Sequence, residues 1–380
     1  MTTNSEIKNR QWLDWAVPVV TAVLAVVAAF AVGALFIIIL GADPAEAYKA
    51  IILGAFGNVN ALTETMIKAA PLVITAAGLA IVFRANIWNI GAEGQLFIGG
   101  LAAAWVALTF GDQLPPMVII PLTLIAGFVG GAVWGFIPAI LKVRLGIDEI
   151  INTIMLNYIA ILLVNWVIHG PLRDPTGGFP RTSIFPDSSH LPILIPRTRL
   201  HVGVLVAIAV VLILQFVLWR VAFGYRVRAV GDNKEAAAYG GINVGRVIVT
   251  SMIISGGLAG VAGMIQVTGL HFRMLEDISG GIGFTAIAVA LLANNQPVIT
   301  LVTALLLAGL DVGANAMQYQ AGVPVAVVSL IQGLVILFVV AREFITRRII
   351  ARRRTMSEML EHRKKAGEAV EQDALEPGAL

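Results

Sequence analysis

The sequence predicts an all-α polytopic membrane protein, and three observations carry that prediction. Apolar residues make up 58% of the chain and charged ones 13%, against about 25% charge in an ordinary soluble domain. Mean hydropathy is +0.87. Apolar runs long enough to cross hydrocarbon recur along most of its 380 residues. A soluble fold needs charge to cover its exterior, so neither a soluble enzyme nor a disordered regulator fits. The chain has no cysteine, which removes thiolate metal sites, thiol nucleophiles and disulfides. The weakly alternating ten-residue segments of a membrane barrel are not the pattern here.

A spanning helix takes roughly 20 apolar residues, because the hydrocarbon is about 30 Å thick and each residue rises about 1.5 Å. Ten stretches qualify, near 16–40, 62–83, 87–110, 117–141, 149–168, 201–219, 247–269, 280–294, 298–316 and 322–341. The apolar block of the first is too long for a cleaved signal. Lys8 and Arg10 precede it, so it reads as an uncleaved helix with a cytoplasmic start. The eighth stretch is short enough to be re-entrant. Ten spans, or eight, keep both termini on one side. With both termini cytoplasmic, 19 Lys and Arg lie inside and seven outside, the bias expected of inner segments.

Three segments lie between or beyond the spans. The outer loop 169–200 is rich in proline and glycine and is expected to be an ordered, irregular cover. The cytoplasmic loop 220–246 is the largest internal connection. A transmembrane domain over 1–345 is followed by a cytoplasmic tail, 346–380, basic at Arg347, Arg348, Arg352, Arg353 and Arg354 and then acidic. Such a cluster attracts anionic headgroups, and nucleic acid is not an expected partner. Gly127, Gly131 and Gly135 on the fourth span, and Gly256, Gly260 and Gly263 on the seventh, form small-residue stripes that predict close helix packing.

Polar groups within spans are costly and face protein or water. Asn86, Asn89 and Glu93 stand at i, i+3 and i+7, so a continuous helix puts them on one face, with Gln95 next. Gly91 and Gly94 predict partial unwinding there. The group reads either as a pathway element or as a buried polar clamp. Asp311, Asn315 and Gln318 share a face of the ninth span. They are placed to hydrogen-bond a neutral polar solute, or Asp311 pairs with a cation on another span. Gln332 on the tenth is a further lining candidate. Glu64 and Lys68 form an i, i+4 pair with no function assigned. Asn294, Asn295 and Gln296 mark a turn before Pro297.

No GxxxxGK[ST], HExxH or GxSxG motif and no TVGYG filter occurs. The five histidines, His169, His190, His201, His271 and His362, are scattered. No catalytic, metal or cofactor residue is therefore expected; the chain moves a solute without its own energy source.

The cytoplasmic loop offers what mechanical coupling to a separate, soluble motor requires. Asn233 can cap a short helix from Lys234 to Tyr239, and Gly240-Gly241 can end it, giving a compact knob. Within it, Glu235 through Ala237 to Gly241 matches EAAxxxG. Together with Asn89-Ile-Gly-Ala-Glu-Gly-Gln95, Gly283-Phe-Thr-Ala-Ile-Ala-Val-Ala-Leu-Leu292 and Gln332-Gly-Leu-Val-Ile-Leu-Phe338, the loop resembles the permeases of ATP-binding-cassette importers for simple sugars, nucleosides and branched-chain amino acids. Pro44-Ala-Glu-Ala-Tyr48 is most similar to the larger permease of nucleoside-type systems. One departure is that no Leu-Pro follows Gly241. The resemblance implies a multi-pass protein of a bacterial-type cytoplasmic membrane, paired with a second, paralogous permease. It also implies two cytoplasmic ATPase subunits, which hold ATP and Mg, and an extracytoplasmic binding protein that delivers nucleosides or, alternatively, simple sugars. Glu235, Ala236, Ala237, Tyr239 and Gly241 would then couple the ATPases mechanically. The competing class is an ion-coupled secondary transporter using Glu93 or Asp311. It predicts inverted repeats with paired broken helices, and no such repeat is visible in the sequence.

Overall fold

The computed structural model describes residues 4–338 and 341, without the side chains of residues 4–19, 22 and 23. The tail 346–380, with its arginine cluster, lies outside the described residues. Thirteen helices are described: α1 (Asn4–Ile39), α2 (Pro44–Phe56), α3 (Val59–Arg84), α4 (Ala92–Phe110), α5 (Pro116–Leu145), α6 (Glu149–His169), α7 (Gly203–Arg220), α8 (Ala222–Asp232), α9 (Lys234–Tyr239), α10 (Val244–Ile265), α11 (Ile282–Leu292), α12 (Pro297–Ala321) and α13 (Val325–Phe338). Two isolated bridges are the β-type pairing found among the described residues. The chain falls into two units, one of Met1–Phe36 with Leu330–Leu380, the other Ile37–Ser329.

Each of the ten apolar stretches coincides with a helix. Seven helices are long and apolar enough to cross a membrane, and eight spans result if α1 and α2 count as one broken span. The remaining two, α11 and α13, are shorter. At 11 residues, α11 reaches roughly 16 Å, about half the hydrocarbon thickness. The apolar pattern did not mark α2 as a separate element. Its 13 residues start where Asp43 accepts from the Ala45 amide at 2.8 Å and Pro44 takes the first helical position, a proline placement that loses no hydrogen bond.

Within the larger unit, α3 and α10 are the most enclosed spans, and α5, α6 and α7 the most exposed. α10 packs on α4 and α5, as the glycine stripes predict. A Cβ at Gly260 would run into the Gly127 carbonyl, and one at Gly131 into that of Gly256. The backbones touch there, so packing rather than a hydrophobic drive holds these helices together. α12 uses a second stripe in the same way: Gly313 meets the backbone of Ile51 on α2, and Gly309 meets Phe56.

At one end, the loop from α6 to α7 covers the end of α10, where the backbone widens to a π-turn over Gln266–His271. The amides of Thr182, Phe185 and Leu191 donate to the carbonyls of Met274, Phe272 and Thr268 at 3.1, 2.8 and 3.1 Å. Phe185, a residue of this loop, is itself buried, and the loop is ordered and irregular, as its composition suggests. At the other end, α8 and α9 form the connection between α7 and α10.

Candidate functional site

The knob is built as its residues dictate. Asn233 accepts from the Ala236 amide at 2.9 Å and caps α9. The helix stops at Gly240, and Gly241 takes φ +80°, a conformation a side chain resists. Ala237 is the one buried residue of α9, while Glu235, Ala236 and Gly241 are exposed and Tyr239 is 94% exposed. The knob therefore offers a nearly bare surface.

Its mounting is tighter than the sequence suggested. A Cβ at Gly231 on α8 would strike the carbonyl oxygen of Arg84, so α8 lies directly on the end of α3. Trp219 stacks beneath Arg228 at 4.7 Å and Arg84 at 5.6 Å, contacts of the cation–π kind. Arg84 Nε also donates to the Asn295 carbonyl at 3.4 Å. Asn294 and Asn295, both at positive φ (50° and 54°), make the tight turn between α11 and α12 that Asn294, Asn295 and Gln296 had indicated.

The continuous helix expected through Asn86, Asn89 and Glu93 is corrected by the structure. α3 ends at Arg84 and α4 begins at Ala92, so Asn86 and Asn89 lie in an irregular segment and share no helical face with Glu93. Gly91 and the positive φ of Asn86 (55°) account for the break. Asn86 is exposed, whereas Asn89, Glu93 and Gln95 are buried. Asn89 and Gln95 exchange amide hydrogen bonds at 2.9 and 3.1 Å. Asn89 also donates to Ser255 Oγ on α10 at 3.1 Å and accepts from the Gly91 amide at 3.0 Å. Asn157 on α6 accepts from the Gly94 amide and donates to the Ile90 carbonyl, both at 2.8 Å. Glu93 accepts from the Gly283 amide at 2.7 Å, at the first turn of α11. Gly281 precedes that helix and has no side chain to cap it; Ser279 Oγ accepts from the Ile282 amide at 2.9 Å, and the carboxylate from α4 takes the next amide and complements the helix dipole. Asn89, Glu93 and Gln95 are thus hydrogen-bonded to the elements around the break.

Asp311, Asn315 and Gln318 behave oppositely. All three are exposed on α12, away from the face that packs on α2. Asp311 pairs with Lys68 of α3. Lys68 is therefore not the partner of Glu64, as the i, i+4 spacing had suggested; Glu64 binds Arg199 from the covering loop, at 2.8 and 2.5 Å. Helix periodicity finds neighbours on one helix and is silent about a cation brought by another. Gln332 is partly exposed on α13, in the other unit. Asn157 and Ser255 carried a weak signal, as polar residues in apolar spans, and went unassigned.

A buried histidine lies outside the spans. His201 is 1% exposed, its Nδ1 accepts from the Gly203 amide at 3.1 Å, and desolvation lowers its pKa from 6.5 to about 4.

Comparison with known proteins matches residues 61–340 to the family described as the permease component of branched-chain amino acid transport systems. The chain is 38% identical to the guanosine ABC transporter permease protein NupP of Bacillus subtilis, over 83% of this chain and 91% of that one. It is 36% identical to the glucose ABC transporter permease TsgB13 of Haloferax volcanii, over 88% and 90%. A second guanosine ABC transporter permease of Bacillus subtilis, NupQ, is 29% identical over 62% and 75%. No solved structure matches. By this match, and with multiple spans and a compact knob between α7 and α10, this chain belongs to the ABC-importer permease family whose model describes the permease component of branched-chain amino acid transport.

Proposed function

We propose that this permease carries nucleosides into the cell, driven by cytoplasmic ATPase subunits that bind α9. The exposed, capped knob, carried by α8, whose Gly231 lies backbone to backbone on the most enclosed span, is the observation that carries the reading. A force on Glu235, Ala236, Ala237, Tyr239 or Gly241 would pass through Gly231 into α3 and through Arg84 into the turn before α12. Nothing in that route is chemical. The ATPases hold ATP and Mg, and this chain holds neither.

The Lys and Arg distribution favours a cytoplasmic knob and cytoplasmic termini, in a bacterial-type inner membrane. An external binding protein would then deliver solute to the opposite face. The likeness to two guanosine permeases from one organism supports a paralogous second permease and a nucleoside cargo. The likeness to a glucose permease favours simple sugars as the second reading. The exposed face of α12, with Asp311, Asn315 and Gln318, lines the path, whereas Asn89, Glu93 and Gln95 brace it.

Two substitutions test the coupling. Glu235→Arg and Gly241→Val should each abolish uptake of labelled guanosine in cells making the whole importer, with the permease still in the membrane. Uptake at the unaltered rate in both variants would remove the knob from the mechanism. Uptake of glucose but not guanosine would select the second reading.

A further inference from the structure

Lys68 stands nine residues into α3, and Asp311 lies ten residues before the end of α12. These helices run antiparallel, and each is about 38 Å long at 1.5 Å per residue. Both counts place the ion pair roughly 14 Å from the same end, inside a hydrocarbon layer of about 30 Å. Yet the side chains remain 39% and 52% exposed. Asn315 and Gln318 continue the exposed face one and two turns further, and neither side chain is hydrogen-bonded within the described residues. A lysine–carboxylate pair and two amides left open to lipid would lack the water or protein partners such groups require.

We propose that Lys68, Asp311, Asn315 and Gln318 form a water-facing subsite that binds the ring hydroxyls of an uncharged solute. The proposal rests on the chain being a solute permease and adds Lys68 to the path. The ion pair carries no net charge, so a neutral solute meets neither repulsion nor a trap, whereas a charged one competes for one member of the pair. The carboxylate keeps lone pairs for two adjacent hydroxyl donors, the ammonium keeps donors for their oxygens, and the amides offer both. Such contacts exchange readily for water, as passage requires. The carboxylate's preference is for a vicinal diol.

The cysteine-free sequence makes the test direct. In membranes holding the complete importer, Asn315→Cys should react with a charged, membrane-impermeant thiol reagent. The reference is Val302→Cys, on the opposite, apolar side of α12. Guanosine should slow the reaction several-fold, and 2′-deoxyguanosine, which lacks the diol, should slow it far less. Asp311→Asn and Lys68→Met should raise the KM for guanosine uptake about tenfold, the scale of one charge-assisted hydrogen bond, with membrane abundance unchanged. Exchanging the pair, Lys68→Asp with Asp311→Lys, should not restore the KM, although it would restore a brace between α3 and α12. Labelling of Asn315→Cys no faster than the reference, equal protection by both nucleosides, or full rescue by the exchanged pair would each overturn the subsite. Those results leave the coupling reading intact as long as Glu235→Arg and Gly241→Val still abolish uptake.

Discussion

Two polar constellations of similar composition lie in this permease, and their surroundings differ. Around the break between α3 and α4, Asn89, Glu93 and Gln95 are enclosed and their hydrogen bonds end on the backbone and side chains of α4, α10 and α11. On α12, Asp311, Asn315 and Gln318 are open. The first group stabilises irregular backbone at a depth where water cannot, the condition under which a broken helix persists in a membrane. The second has side-chain groups to spare. Polar residues inside a span thus divide by whether their hydrogen bonds are already committed, a property of the fold rather than of the residue type.

The contrast is broken most severely by filling the helix contact that supports the clamp. Gly260→Val puts a branched side chain against the Gly127 carbonyl, and overpacking of this sort costs about 1–3 kcal/mol or more. The variant should not accumulate as folded protein in membranes, read by its yield after mild detergent extraction. Asn89→Ala comes next. It leaves Gln95, Ser255 and the Gly91 amide short of a partner, at about 1–3 kcal/mol for an unsatisfied buried group. Its melting temperature in detergent should fall measurably, and uptake should fall in step with folded protein. Asn315→Ala should leave melting unchanged within about 0.5 kcal/mol, as for an exposed site, while guanosine uptake drops. A melting loss equal to that of Asn89→Ala would merge the two constellations into one structural network.

His201 sharpens the point, being buried with Nε2 unpartnered. Its folded pKa near 4 lies below the unfolded value of 6.5. The stability associated with the neutral ring is full above pH 6.5 and declines as the pH falls towards 4, by about 3 kcal/mol at most at 1.36 kcal/mol per unit. Proteolysis of the loop over α10 should accelerate across that interval, and His201→Gln should flatten the dependence. An unaltered pH profile in that variant would assign the acid sensitivity to another group.

Much of this was legible in advance because it is local. Hydropathy over twenty residues finds a helix that must cross oil, and Asn233 with Gly240 and Gly241 writes the start and stop of α9 into nine adjacent letters. The glycine stripes on α5 and α10 announced close packing, since a missing side chain permits contact whatever the partner. Legibility failed where the deciding neighbour came from elsewhere. Reading Asn86, Asn89 and Glu93 on one face assumed an unbroken helix, whereas α4 starts only at Ala92, where Glu93 can cap α11, 190 residues away. Pairing Glu64 with Lys68 assumed that the nearest opposite charge on the helix wins, and Arg199 and Asp311 came closer.

Sequence by itself determined that the chain is a bundle of apolar helices, that a capped knob sits between two of them, and which family it resembles, because propensity, caps and hydropathy act over a few residues. Tertiary structure alone decided which polar side chains are spent on the fold and which stay open. A hydrogen bond or ion pair is settled by whichever partner arrives within about 3 Å, and only folding sets that distance between residues far apart along the chain.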